Sequence, residues 1–147
     1  MPQTTLSAWK FASPANAEIA SQTLRGLARE RLVIIHDVAT VEWETAALQP
    51  RASHLRPITD AGALGTDFWA RLFNVVFFGP LLGAPAVALN RALTDLRIDA
   101  GFISRVQDEI TPGTSALFVM SPDAVVHEIE DALTDQIALI STRVQHS

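Results

Sequence analysis

Cysteine and tyrosine are absent from the 147 residues, and lysine occurs once, at Lys10. Without cysteine there is no disulfide, no thiolate metal site and no cysteine nucleophile. Positive charge is scarce too: 11 basic residues stand against 16 acidic ones, a formal net charge of −5. That balance argues against a general grip on phosphate backbones, so no nucleic-acid partner is expected. Charged residues are only 18% of the chain, while hydrophobic ones reach 48%, enough to bury a core. The length predicts a single domain over residues 1–147. Met1 to Thr5 carries neither a basic nor an apolar run, so no secretory signal is expected and the cytoplasm is the default compartment.

Local patterns predict an α+β chain. Thr5 to Phe11 alternates as a strand, with Ser7, Trp9 and Phe11 on one side and Leu6, Ala8 and Lys10 on the other. Ser13-Pro14 predicts a helix start with a hydroxyl N-cap, followed by Ala17, Ala20, Leu24, Leu27 and Ala28 at helical spacing. Residues 32–43 predict one long strand, and 45–60 a loop with Pro50, Pro57 and the basic cluster Arg51, His54 and Arg56. Asp99 predicts the cap of a helix that turns Phe102, Ile103, Val106 and Ile110 to one face. Thr111-Pro112-Gly113 predicts a turn before a buried strand over 114–121. Ser121-Pro122-Asp123 starts another helix, with Val126, Ile129 and Leu133 inward, and 135–144 alternates as a last strand. Strand, Ser-Pro, helix, strand thus occurs twice. Two such halves around one antiparallel sheet make a split β-α-β, ferredoxin-like fold with both Ser-Pro helices on one face.

Between the halves lies an unusual segment. Residues 72–89 read LFNVVFFGPLLGAPAVAL, with Asn74 the one strongly polar side chain. About 18 apolar residues is the lower edge for a membrane span. Gly79-Pro80 and Gly83-Ala84-Pro85 interrupt the run, and proline lacks the N–H that a helix interior needs. The pattern therefore predicts two shorter helices doubling back, an inserted hydrophobic helical hairpin over residues 61–96. At helical spacing Asp67, Arg71 and Asn74 form a polar stripe on the first arm, and Asn90 and Arg91 interrupt the second. The rest of the first arm is large and apolar and needs cover on several sides: from its own domain, from other copies, or from lipid. A ligand groove between the arms is a third arrangement.

Few residues point to chemistry. His127-Glu128 begins like a metalloprotease helix, but Asp131 stands where a second histidine is required. No Gly-x-Ser-x-Gly elbow and no phosphate-binding glycine loop occurs. His36, beside Asp37, and His54, in the basic loop, are the candidate ligand-binding residues. Asp123, Glu128, Glu130, Asp131 and Asp135 spread along the last helix as an acidic, solvated face. Trp9, Phe11 and Trp43 lie on strands and could line one sheet face.

Five strings together carry a family resemblance: Trp9-Lys10-Phe11; Ile35-His36-Asp37-Val38-Ala39; Ala61-Gly62-Ala63-Leu64-Gly65 with Phe68-Trp69; Phe77-Phe78 with Pro80-Leu81-Leu82-Gly83; and Thr111 to Phe118. The chain resembles an uncharacterised bacterial family whose members carry a domain of unknown function and are often labelled predicted membrane proteins. The resemblance implies the ferredoxin-like domain with its inserted hairpin, and it brings no catalytic residues. Typical members have small residues at four-residue spacing in the hairpin, a glycine zipper. Here Asp67, Arg71, Asn74, Asn90 and Arg91 depart from that pattern.

The expectation is a non-enzymatic homo-oligomer without cofactor or metal, assembled through its hairpin. Phe68, Trp69, Phe73, Val76 and Phe77 are the expected packing residues. Asp67, Arg71, Asn74, Asn90 and Arg91 are expected to set register or line an internal channel. The alternative is a membrane-associated or membrane-inserted protein with a role in stress. A further alternative is a small-molecule or cofactor-binding protein using His36 and His54.

Overall fold

The computed structural model describes residues 4–54, 72–73, 76–77 and 98–144. In chain order they form β1 (Thr4–Phe11), α1 (Asn16–Arg29), β2 (Asp37–Glu42), β3 (Arg51–His54), α2 (Ala100–Glu109), β4 (Ser115–Pro122), a 3-10 turn (Asp123–Val125), α3 (Val126–Ala132) and β5 (Ala138–Val144). The five strands make one sheet in the order β3-β2-β4-β1-β5. Every neighbouring pair is antiparallel. An antiparallel sheet with helices on its faces is an α+β architecture. Because β1 and β2 both run against β4, they are parallel to each other with β4 between them.

Alternation along the strands divides the core in two. Leu6, Ala8, Ala39, Val41, Phe118 and Met120 face α2, through its Phe102, Ile103, Val106 and Ile110. Leu72, Phe73, Val76 and Phe77 share that layer. On the opposite face Trp9, Phe11, Val38, Leu117 and Val119 pack against Ala17, Ala20 and Leu24 of α1, and against Ile129 and Leu133 at α3. Both helices that follow a Ser-Pro pair therefore lie on one face, and α2 lies on the other.

Several expected boundaries move. The helix predicted from Ser13-Pro14 begins at Asn16, with Ala15 in the N-cap position. Ser13 Oγ accepts only the Ala15 N–H, at 3.3 Å. The first-turn amide of Ala17 instead donates to Ser115 Oγ at 3.0 Å. At the other end, Arg31 takes φ 62°. Its N–H donates to the Ala28 carbonyl at 3.1 Å, and that of Leu32 to the Leu27 carbonyl at 2.9 Å. These paired bonds are a Schellman ending, which normally favours glycine at the left-handed position.

The long strand predicted over 32–43 is cut to Asp37–Glu42. Before it the chain runs as a connector. Val33 and Ile35 plug the layer under α1, while Leu32 and Ile34 stay 63% and 57% exposed. An apolar run of this kind satisfies the helix layer without joining the ladder. The loop predicted over 45–60 contains β3, which pairs with β2 so that Arg51 faces Glu42 and His54 faces Ala39. Pro50, just before it, is compatible with an edge strand. The helix predicted from Ser121-Pro122 opens as a 3-10 turn and becomes α-helical at Val126. Asp99 does stand at the N-cap of α2, but through its carbonyl, which accepts the Phe102 N–H at 3.1 Å; its side chain makes no capping bond. The Thr111–Thr114 turn is present, closed by Thr114 N–H to the Thr111 carbonyl at 3.1 Å. Of the hairpin expected over 61–96, all but Leu72, Phe73, Val76 and Phe77 lies outside the described residues.

Candidate functional site

The first expected site is the packing set of the hydrophobic segment. Leu72 and Phe73 are α-helical, and Val76 and Phe77 lie in a wider, π-type turn. Phe73, Val76 and Phe77 are each 3% exposed, buried by the chain's own sheet and α2. Phe73 meets Phe118 of β4 edge-on, with ring centroids 5.2 Å apart. Phe77 meets Trp43 at 6.3 Å and 89°. Such edge-to-face pairs suit the ring quadrupoles. The Val76 carbonyl accepts from Gln107 Nε2 of α2 at 3.2 Å. These three side chains are thus core residues of the subunit and present little surface to another copy. Phe68, Trp69, Asp67, Arg71, Asn74, Asn90 and Arg91 lie outside the described residues.

A concavity of about 290 Å³ sits beside this cluster, lined by Trp43, Val76, Phe77, Gln107, Ile110, Thr111 and Pro112. That is just under the usual size of a small-molecule pocket. Two donors beside it have internal partners: Trp43 Nε1 donates to the Ala47 carbonyl at 3.1 Å, and Gln107 Nε2 donates to the Val76 carbonyl. The lining can therefore offer an apolar, aromatic surface. Sequence reasoning missed Gln107 and Pro112 here. Only the three-dimensional meeting of α2, the turn after it and Trp43 assembles them.

The backbone register sets His36 and His54 at different levels along the sheet. His54 faces Ala39, three positions along from His36, which is roughly 10 Å at strand rise. The His36 backbone N–H donates to the Met120 carbonyl at 2.8 Å. Its Nδ1 is buried without a hydrogen-bond partner. The neighbouring Asp37 is fully buried, and its Oδ1 accepts the Val38 N–H at 2.9 Å. Among the described residues no group of three or more His, Asp or Glu could hold a metal ion.

The three strand aromatics also separate. Trp9 and Thr40 both lie opposite Leu117, so Trp9 shares a face with the even-numbered positions of β2. Trp43 falls on the other face, against the α2 layer. The three therefore do not line one face, because residue parity sets Trp43 apart from Trp9 and Phe11, and all three pack into the core layers instead. On α3, the 81%-exposed side chain of His127 lies 3.8 Å from Glu130 and 3.9 Å from Asp131. This matches a solvated helix face.

Among the described residues no helix is long and apolar enough to cross a membrane. No curated protein and no solved structure matches the chain. A family model described as "Protein of unknown function (DUF1269)" matches residues 63–147, from the hydrophobic segment through β5. With more than half of its length matched, the chain belongs to the DUF1269 family of proteins of unknown function.

Proposed function

We propose that the protein is a non-enzymatic, cytoplasmic homo-oligomer in which an α+β body carries the apolar segment 61–96 as its assembly element. The observation that supports this is the filling of one sheet face. Five strands about 4.8 Å apart span roughly 19 Å between outer axes, and packed helices sit about 8–10 Å apart. That width seats about two helices side by side. α2 occupies the β1–β5 side, where Lys10 Nζ meets Glu109 at 3.1 Å. The stretch through Phe73 and Phe77 occupies the side of Phe118 and Trp43. The sequence adds a further apolar stretch over 81–96, with Leu81, Leu82, Val87 and Leu89, that needs apolar cover, and another copy of the chain can supply it.

In this reading the intersubunit contact uses the arm over 81–96 together with Phe68 and Trp69, while Phe73, Val76 and Phe77 anchor the segment to its own sheet. Asp67, Arg71, Asn74, Asn90 and Arg91 set register or line a wet interior, since buried polar positions specify partner geometry at a cost in stability. The strand order β2-β4-β1-β5, with α1 and α3 on one face, supports a ferredoxin-like body to which β3 is an added edge strand. The membrane label carried by the resemblance makes lipid the alternative cover for the segment, while Asp67, Arg71, Asn74, Asn90 and Arg91, which depart from the glycine zipper, favour assembly in water.

Light scattering on the eluting full-length protein, without detergent at micromolar concentration, tests the reading. A defined oligomer is expected; a clean monomer overturns it. Flotation with liposomes tests lipid as the cover. Partitioning of the protein with vesicles, together with a monomeric mass in buffer, would replace assembly by membrane association.

A further inference from the structure

The two edges of the sheet are unlike. β3 has four residues, follows Pro50 and opens with Arg51. Short, charged, proline-bordered edges resist pairing with another strand. β5 has seven residues, ALISTRV, with no proline or glycine and a single charge at Arg143. Among the described strands only β1 pairs with it. Ser141 and Arg143 are exposed, and Ile137, immediately before the strand, is 57% exposed. About half of the N–H and C=O groups of such a strand point away from its one neighbour.

We propose that β5 pairs antiparallel with β5 of a second copy, about a two-fold axis at Ser141, so that one sheet continues through both subunits. The occupant follows from the self-complementarity of the strand. Ser141 is the midpoint of Ala138–Val144, so only this register overlaps all seven residues. It sets Ile140 of one copy opposite Thr142 of the other, a β-branched pair suited to a sheet. It sets Leu139 opposite Arg143, so no like charges face each other. The two Arg143 positions lie four residues apart along the axis, roughly 13 Å, beyond the physiological screening length of about 8 Å. The inference rests on the reading that copies assemble, but it places a contact on the sheet body instead of on residues 61–96.

The absence of cysteine makes a thiol introduced by Ser141→Cys unique. Directly opposed Cβ atoms in an antiparallel pair lie about 4.5–5.5 Å apart, within reach of a short bis-maleimide, each ring of which adds one thiol across its C=C bond. Full-length Ser141→Cys protein is expected to yield covalent dimer about tenfold faster than a Leu48→Cys control, whose site is 92% exposed. Ser141→Glu, which brings two carboxylates together at the axis, is expected to weaken dimerisation about tenfold while circular dichroism stays unchanged. Cross-linking no faster than the control, in a protein that light scattering shows to be oligomeric, overturns the β5 contact and leaves assembly through 61–96 standing. A monomeric wild-type protein overturns both.

Discussion

The hydroxyl of Ser115, at the start of β4, caps α1 from 98 positions away: Ala17 N–H donates to its Oγ at 3.0 Å. The same hydroxyl donates to the Ser13 carbonyl at 2.6 Å. Ser115 is fully buried. One side chain thus ties the turn after β1, the first turn of α1 and the first residue of β4 together.

Ser115→Ala should cost about 1–2 kcal/mol, because it removes a cap and strands a buried amide. Urea unfolding reads this directly. A loss under about 0.5 kcal/mol would show that another group, or water, caps the helix equally well.

Phe73→Ala should destabilise the subunit by about 3–5 kcal/mol, since the ring is buried against the chain's own sheet. A double-mutant cycle with Phe118→Ala should show coupling of about 0.5–1.5 kcal/mol. If Phe73 were chiefly an intersubunit residue, the loss would instead depend on protein concentration.

Arg31→Gly should stabilise the protein by about 1 kcal/mol. Arg31 holds φ 62° at the Schellman position, where a β-carbon is unfavourable and glycine is not. The thermal midpoint should rise by a few degrees; a fall would mean that the arginine side chain contributes more than the backbone strain costs.

Gly113→Ala should cost about 1–2 kcal/mol. Gly113 has φ +89°, and an added Cβ would lie 3.3 Å from Thr45 Oγ1. Its N–H also donates to the Trp43 carbonyl at 2.7 Å, so tryptophan fluorescence should shift along with the melting temperature.

The sequence was most legible where one face of an element is buried and its neighbour is regular. The alternation of Leu6 and Ala8 against Trp9 and Phe11 divides between the two core layers as expected. Phe102, Ile103, Val106 and Ile110 share one buried face of α2. Legibility failed where an apolar residue serves a layer without belonging to the ladder, as Val33 and Ile35 do. It failed again at β3, where Pro50 and charged neighbours look like a loop but are compatible with an edge strand.

The candidate site divides in the same way. The greasy character of Phe73, Val76 and Phe77 is written in their spacing, but spacing states only that a stripe needs cover. Phe118 on β4 and Trp43 just after β2 provide that cover from positions remote in sequence. The separation of His36 from His54, and of Trp9 from Trp43, likewise depends on strand partners.

Periodicity, caps and turns act within a few residues, so the chain alone determined the α+β class, the faces of β1 and α2, and the Thr111–Thr114 turn. Strand order, the cap that Ser115 supplies to α1, and the burial of Phe73 beneath its own sheet were decided by tertiary structure. Each requires groups far apart in sequence to meet, and an amphipathic pattern specifies that a surface must be buried without specifying which surface will bury it.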